Sequence, residues 1–498
     1  VIDLTLAEIA DIVGGELTDV SAEAAESTRV TGTVEFDSRA VASGGLFLAL
    51  PGARSDGHDF AAGAVAAGAV AVLAARPVGV PAIVVPPQTA VADSAASVLE
   101  HDADGSGAAV LGALAKLAAA VATKLVAGGL VVIGVTGSSG KTSTKDLLAA
   151  VLEPLGAVVA PPGSFNNELG HPWTVLRATT ETDYLILEMS ARHPGNIAAL
   201  ARIAPPSIAV VLNVGTAHLG EFGSREAIAS TKAELPQAVP ASGVVILNAD
   251  DAVVAAMADK TEARVVRVGR SPDVDVFADD VVLDELARAR FTLHAAGAQI
   301  AVALAVHGDH QVSNALCAAA VALECGATLG QVASALAAAG PVSRHRMQVG
   351  TRADGVTVIN DAYNANPDSM RAGLKALAWM AKSGRDQALD RRRSWAVLGE
   401  MAELGEDAIA EHDSIGRLAV RLDVSRLVVV GAGRSMSAMH HGAVMEGSWG
   451  SEAVMVADAD AALALLRDEL LPGDVVLVKA SNSAGLADLA VALAGETG

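Results

Sequence analysis

The chain has 498 residues, too many for one hydrophobic core, so about three domains are expected. Hydrophobic residues are 52% and aromatics 3%, which leaves Ala, Val, Leu and Gly to fill the interior and suits helices packed closely on parallel sheets. The net charge of −22 argues against a nucleic-acid partner and for a self-repelling protein.

Mean hydropathy is positive. The longest apolar stretches, near 107–135 and 315–339, are nevertheless broken by Lys116 and Lys124 or by Glu324 and Gln331. A membrane helix needs about 18 or more apolar residues in a row, so no membrane insertion is expected. The opening VIDLTLAEIADIVGG is acidic and amphipathic and carries no export signal. Cys317 and Cys325, read as lying in one helix about 12 Å apart along its axis, are too distant for a disulfide. They imply a reducing compartment and a cytoplasmic location.

In chain order, residues 2–13 read as a short helix with Leu4, Leu6, Ile9, Ile12 and Val13 as its apolar stripe. A β-rich stretch follows, with Asp37-Ser38-Arg39 and Asp56-Gly57-His58 between apolar runs. Turn capping beside a surface arginine accounts for such a cluster more readily than ligand binding does. Small residues near 103–107 mark the first boundary, giving a domain over 1–104.

The second expected domain, 105–340, is organised by VVIGVTGSSGKTSTKDL at 131–147. An apolar strand breaks into a glycine-bearing turn, and Lys141-Thr142 open a helix, the context in which a GK[ST] signal means a phosphate loop. Gly137, Ser138, Ser139 and Gly140 present backbone N–H groups to an anion at a helix N-terminus. Lys141 is placed for the β- and γ-phosphates, with Thr142 for Mg²⁺ and Ser143 beside it. The strict pattern misses its first glycine, because position 135 is Val. A strand then delivers Glu188 to its C-terminal end, where ligands of open α/β sheets sit, so Glu188 reads as a Mg²⁺ ligand. A second strand end leads through Asn213 to His218, open between a metal ligand and a structural role. Lys232 reads equally as part of a charged helix face, and Asn314 as a helix N-cap.

From about 341, beginning at Pro341, a hinge leads into the third expected domain, 341–498. There Asp361, Tyr363, Asn364 and Asn366 form a polar loop at a strand end, with Asp368 or Ser369 capping the next helix. Arg391-Arg392-Arg393 reads as a solvated loop, and Gly431-Ala432-Gly433 as a turn rather than a dinucleotide fingerprint.

The strings GVTGSSGKTSTK, FNNELGHP, LEMSARHPG, NVGTAHLGEFGS and TKAE, in this order, closely resemble the Mur ligases of peptidoglycan synthesis, whose phosphate loop has the same relaxed G-x-x-G-K-T form. The resemblance implies an α/β protein of three domains: a small N-terminal UDP-binding domain, a central phosphate-loop ATPase domain with a parallel sheet, and a C-terminal Rossmann-like domain. It makes Glu188, His218 and Thr142 Mg²⁺ ligands, and Lys232 a lysine carbamylated by CO₂. Asn314 becomes an adenine contact, while Arg346 and Asp361 meet the γ-phosphate and ribose when the C-terminal domain closes, beside Tyr363.

NDAYNANPDSM resembles the branch of the family that adds D-alanyl-D-alanine. The implied reaction joins D-Ala-D-Ala to UDP-MurNAc-tripeptide with ATP and Mg²⁺, giving UDP-MurNAc-pentapeptide, ADP and phosphate through an acyl phosphate, in a monomeric bacterial enzyme. Ser38, Arg39, Asn166, Asn167, Ser190, Arg192, Asn364 and Asn366 become substrate contacts. The family's Lys-Gly-Ser-Arg is here Lys479-Ala480-Ser481-Asn482, so the contact of that arginine must be met differently. Rival readings are the branch that adds a diamino acid, a folate-tailing ligase, and a non-catalytic nucleotide switch.

Overall fold

A computed structural model describes residues 3–52, 55–87, 99, 102–215, 219–383, 392–447, 450 and 452–495. Near the N-terminus the chain forms a five-stranded sheet, in spatial order Glu16–Thr18, Ala82–Val84, Ala69–Ala74, Gly45–Leu48 and Val34–Glu35. Only the first strand runs antiparallel to its neighbour. The first helix spans Leu6–Val13, later than expected, because Thr5 takes the N-cap: its hydroxyl accepts from Glu8 N–H, and the Glu8 carboxylate accepts from Thr5 N–H. Leu4–Thr5 pairs instead with Arg29–Val30 as a short ribbon.

The small residues near 103–107 form a helix cap rather than a free linker. The Asp102 carboxylate accepts from Gly107 and Ala108 N–H, and Asp104 accepts from Ser106 N–H. The helix that follows, Ser106–Ala127, packs on Leu6–Val13 and Ala69–Ala74 and also on the helices Gly170–Val175 and Asn196–Ile203. Among the described residues it is the one helix long and apolar enough to cross a membrane. Its Val110, Leu114, Leu117 and Ala118 lie in the core shared by these elements, and Lys116 donates to the carbonyl of Val13.

Nine strands form the central sheet. Val158–Val159, Tyr184–Glu188, Val131–Thr136, Ile208–Val211, Val244–Asn248 and Arg264–Gly269 run parallel, and the sheet continues through Val276–Leu283 into an antiparallel extension, Arg288–Ala295 and Ala298–His307. The runs at the centre, Tyr184–Glu188, Val131–Thr136, Ile208–Val211 and Val244–Asn248, are buried on both faces, as parallel strands require. The register sets Glu188 opposite Val135 and Val211 opposite Thr136, so three strands end side by side at one edge. The chain reverses its direction of strand addition around Val131–Thr136, and the crevice at such a reversal is where α/β sheets bind ligands.

The C-terminal sheet has six strands, ordered Gln348–Thr351, Thr357–Asn360, Val475–Lys479, Ser394–Leu398, Arg426–Val430 and Ala453–Val456. All but the first are parallel, with apolar clusters on both faces. This sheet is seated on the central one. The Trp379 indole donates to the Asp284 carbonyl at the tip of the antiparallel extension, and Ala287 joins the cluster of Met370, Leu374 and Met380. Both described members of the arginine run are held rather than solvated. Arg392 donates to Gly473 O and Thr357 Oγ1, while Arg393 pairs with buried Asp474 and lies 5.4 Å from the Trp395 ring. Arg391 lies outside the described residues.

Candidate nucleotide and substrate site

The phosphate loop begins where Val131–Thr136 ends. Gly140 has φ +83°, which a side chain would strain, and it ends the turn before the helix Lys141–Leu152. Asn213, at the end of the neighbouring strand, fixes the turn from below. Its Oδ1 accepts from Ser139 N–H at 2.9 Å, and its Nδ2 donates to Ser139 O at 3.2 Å. Ser138 N–H donates to Asn213 O, and the Ser138 hydroxyl accepts from Gly215 N–H at 2.9 Å. The Lys141 ammonium is folded back on Gly137 O at 2.7 Å. Burial, with Arg346 adding to it and Glu188 opposing, brings its pKa down to about 8.

Glu188 is fully buried, and the Thr142 hydroxyl donates to its Oε2 at 3.2 Å. Its Oε1 is buried with no hydrogen-bond partner, and burial raises the carboxyl pKa against the pull of Lys145, Lys141 and Arg346. An orphaned carboxylate oxygen beside a phosphate-loop hydroxyl suits a hard divalent cation, so these residues fit Mg²⁺. Asn166 Nδ2 donates to Ser164 Oγ at 2.8 Å and lies 3.5 Å from Glu188 Oε2, while Asn167 Oδ1 accepts from Leu169 and Gly170 N–H. Lys232, on the helix Arg225–Ala238, is buried without a hydrogen bond or ion pair among the described residues; burial, then the charge of Lys141, holds its pKa well below the usual lysine value. It is therefore buried within electrostatic reach of Lys141 rather than part of a charged surface face. His218 lies outside the described residues.

Asn314 sits in the first turns of the helix Gln311–Glu324 and not at its N-cap, which is His310. Its Nδ2 donates to Gln311 Oε1, and its Oδ1 would lie 2.7 Å from a Cβ placed on Gly140, so it reaches the phosphate loop itself.

The C-terminal unit closes the other side. Arg346 Nη2 comes within 3.4 Å of the Thr142 hydroxyl, and its guanidinium stacks 4.1 Å above the Tyr363 ring. Asp361 Oδ2 accepts from Lys479 Nζ at 2.5 Å and its Oδ1 from Met347 N–H; Lys479 also donates to Asn364 O. The helix Pro367–Lys382 is capped by Asn366, not by Asp368 or Ser369, with Ser369 N–H donating to Asn366 Oδ1 in a reciprocal box. The Asn366 carboxamide is thus occupied by the cap and by Ser138 O at 3.4 Å. Arg192 pairs with Glu403 across the cleft at 2.9 Å.

Two cavities result. One, about 540 Å³, is lined by Ser139, Gly140, Ser143, Asn314, Arg346, Asp361 and Lys479 among others. The second, about 420 Å³, holds Lys141, Thr142, Asn166, Asn167, Ser190, Arg192, Tyr363, Asn364 and Asn366. They share Ser139, Gly140, Ser143, Arg346 and Ser369, so they meet over the phosphate loop. Ser38 and Arg39 line neither. Ser38 is half-buried, and exposed Arg39 is held by Asp37, whose carboxyl it lowers to about 2. Sequence reasoning gives Lys479 little weight, leaves out Glu403, and reads Asp368 only as a cap and Asn482 only as a departure from the family pattern, yet all four line these cavities.

Three stretches match family models described as the Mur ligase family catalytic domain (32–121), the Mur ligase middle domain (135–322) and the Mur ligase glutamate ligase domain (345–482). A UDP-N-acetylmuramoyl-tripeptide–D-alanyl-D-alanine ligase of Mycobacterium tuberculosis is 76% identical, over 99% of this chain and 98% of its own length. Its namesake of Escherichia coli is 34% identical over 86% of each chain. Among solved structures, MurF from Acinetobacter baumannii aligns with TM-score 0.81 and 29% identity over 99% of both chains. The MurF ligase of Thermotoga maritima in complex with ADP aligns with TM-score 0.73 and 27% identity, over 93% of this chain and 97% of its own. A relaxed phosphate loop facing a buried carboxylate, three family models in order along the sequence and relatives matched from end to end lead to one conclusion: the chain belongs to the Mur ligase family.

Proposed function

We propose that the chain joins D-alanyl-D-alanine to UDP-MurNAc-tripeptide at the expense of ATP, giving UDP-MurNAc-pentapeptide, ADP and phosphate. The observation that carries this reading is the junction of the two cavities over the phosphate loop, with Arg346 and the loop residues common to both. A nucleotide in the first cavity would present its terminal phosphate at the mouth of the second. The 76% identity to a ligase of this name supports the choice of substrates.

A carboxylate is a poor acyl donor until it carries a leaving group. In this reading the tripeptide carboxylate attacks the γ-phosphorus, ADP leaves, and the acyl phosphate is attacked by the dipeptide amine. Phosphate then departs from the tetrahedral adduct, and the amine loses a proton. The chain contributes position and charge rather than a nucleophile. Lys141 and Arg346 flank the transferring phosphoryl group, and Asn314, Asp361 and Lys479 line the nucleotide side. Asn166, Asn167, Ser190, Arg192 and Asn364 face the acceptor side, with Ser38 and Arg39 on the N-terminal unit offered to the UDP moiety.

Mg²⁺ would be held by Thr142 and Glu188, with His218 as a further ligand, and would neutralise phosphate charge. Lys232 is suited to carbamylation: burial favours the neutral amine, which adds to CO₂ with loss of a proton and so becomes an anion facing that charge. Units over 1–104, 105–340 and 341–498 would carry UDP, ATP and dipeptide binding in turn. Two unpaired cysteines suit a cytoplasmic enzyme.

The test is phosphate release from ATP with two substrate pairs. Turnover with UDP-MurNAc-tripeptide and D-Ala-D-Ala, and none with UDP-MurNAc-dipeptide and a diamino acid, is expected. The reverse preference would overturn the assignment of substrates and leave the family intact.

A further inference from the structure

The start of the helix Pro367–Lys382 meets the central unit at a corner built to receive it. A Cβ placed on Gly215 would lie 1.9 Å from Asp368 Oδ2 and 3.3 Å from Ser138 Cβ. Gly215 N–H is tied to the Ser138 hydroxyl, and Asn366 Nδ2 lies 3.4 Å from Ser138 O. Two C-terminal positions, the helix cap Asn366 and Asp368 in the first turn, thus sit on the phosphate loop and on the strand-end loop beside it. Asp368 pairs with Arg371, which is itself paired with Glu411. A few residues further on, Gly220 meets the C-terminal unit backbone to backbone, where a Cβ on Gly220 would lie 2.4 Å from Gly405 N.

We propose that Asp368 is a positioning residue whose seat on Gly215 couples docking of the C-terminal unit to the phosphate loop, and that a side chain at position 215 disturbs this seat. The inference rests on the ligase reading only for its activity readout. A side chain at 215 overpacks the seat and holds Arg346 away from Thr142, while the nucleotide cradle of the central unit persists. The defect therefore falls on kcat more than on ATP affinity, which loses the C-terminal lining of the nucleotide cavity and keeps the phosphate loop.

The experiment is a suppression test. Gly215→Ala is expected to lower kcat about tenfold or more with the ATP KM raised by a smaller factor. Adding Asp368→Gly should restore kcat to the level of Asp368→Gly alone, because the colliding carboxylate is gone. Gly220→Ala serves as the contrast. Its collision is with backbone, and Asp368→Gly should not relieve it. A fluorescent ATP analogue bound by every variant establishes an intact central unit, and amide exchange over 366–370 should be faster in Gly215→Ala and recover in the double variant. A double variant as slow as Gly215→Ala, in turnover and in exchange, would overturn the proposal. So would a Gly215→Ala chain equal to wild type, or one that loses the analogue without recovery in the double variant. Absence of turnover in the unmodified chain would contradict the ligase reading, with the contact then judged by exchange alone.

Discussion

Arg346 Nη2 lies 3.4 Å from the Thr142 hydroxyl, bringing together two residues 204 positions apart in the chain. The guanidinium is stacked on Tyr363, and its Nε is buried without a partner. A planar, permanently charged fork held in this way is poised for an anion between the units. Arg346→Lys keeps the charge and loses the fork and the stacking. A fall in kcat of about a hundredfold is expected, with nucleotide affinity changed far less. Steady-state phosphate release alongside titration of a fluorescent nucleotide measures both.

Lys479 is 1% exposed, and its ammonium is bonded to Asp361, which is 8% exposed. Removing one member of such a pair strands the other charge. Lys479→Met should destabilise the C-terminal unit by about 3–5 kcal/mol, whereas Lys479→Met with Asp361→Asn should cost less than either change implies alone. Denaturant unfolding of the four proteins gives the coupling.

Lys232 lies buried beside Lys141 with no anion among the described residues to pair with. Lys232→Ala is expected to lose about a hundredfold in activity, with partial rescue by a short carboxylic acid standing in for a carbamate. A ¹³C carbamate resonance after exposure to labelled CO₂, present in wild type and absent in the variant, checks the modification directly. Full activity in the variant would remove Lys232 from the metal network.

His171 is fully buried in the helix Gly170–Val175 with no hydrogen bond of good geometry to either ring nitrogen, and burial, opposed by the backbone of Glu188 and Leu200, lowers its pKa from 6.5 to about 4. Between those values the unfolded chain binds a proton that the folded one refuses, so stability rises with pH across this window and is lost as pH falls through it. The contribution is about 3 kcal/mol at most. The thermal midpoint of His171→Leu should therefore depend less on pH between 6.5 and 4 than that of wild type. Parallel curves would show that the imidazole titrates alike in both states.

How far the sequence reached depends on range along the chain. The phosphate loop was legible because its strand, turn and helix start are contiguous, and Glu188 because an apolar strand ends on it. Lys232 and Asn314 gained meaning only through resemblance, since a lysine in a polar helix and an asparagine near a helix start carry no local mark of a ligand. Lys479 was underweighted because its partner Asp361 stands 118 residues earlier. Asn366 lines the second cavity while its carboxamide also caps a helix, and the arginine run is held because Arg393 reaches Asp474, 81 residues away. Each of these depends on which strand ends the sheet order brings together, and local periodicity does not encode that order.

The most direct measurement is isotope transfer. UDP-MurNAc-tripeptide labelled with ¹⁸O in its acceptor carboxylate is turned over with ATP and D-Ala-D-Ala, and the released phosphate is analysed by mass. Chemistry at the junction of the two cavities requires one ¹⁸O in each phosphate, carried over when the acyl phosphate collapses. Phosphate free of label, with its new oxygen drawn from water, would mean that ATP is hydrolysed apart from the carboxylate and would contradict the account.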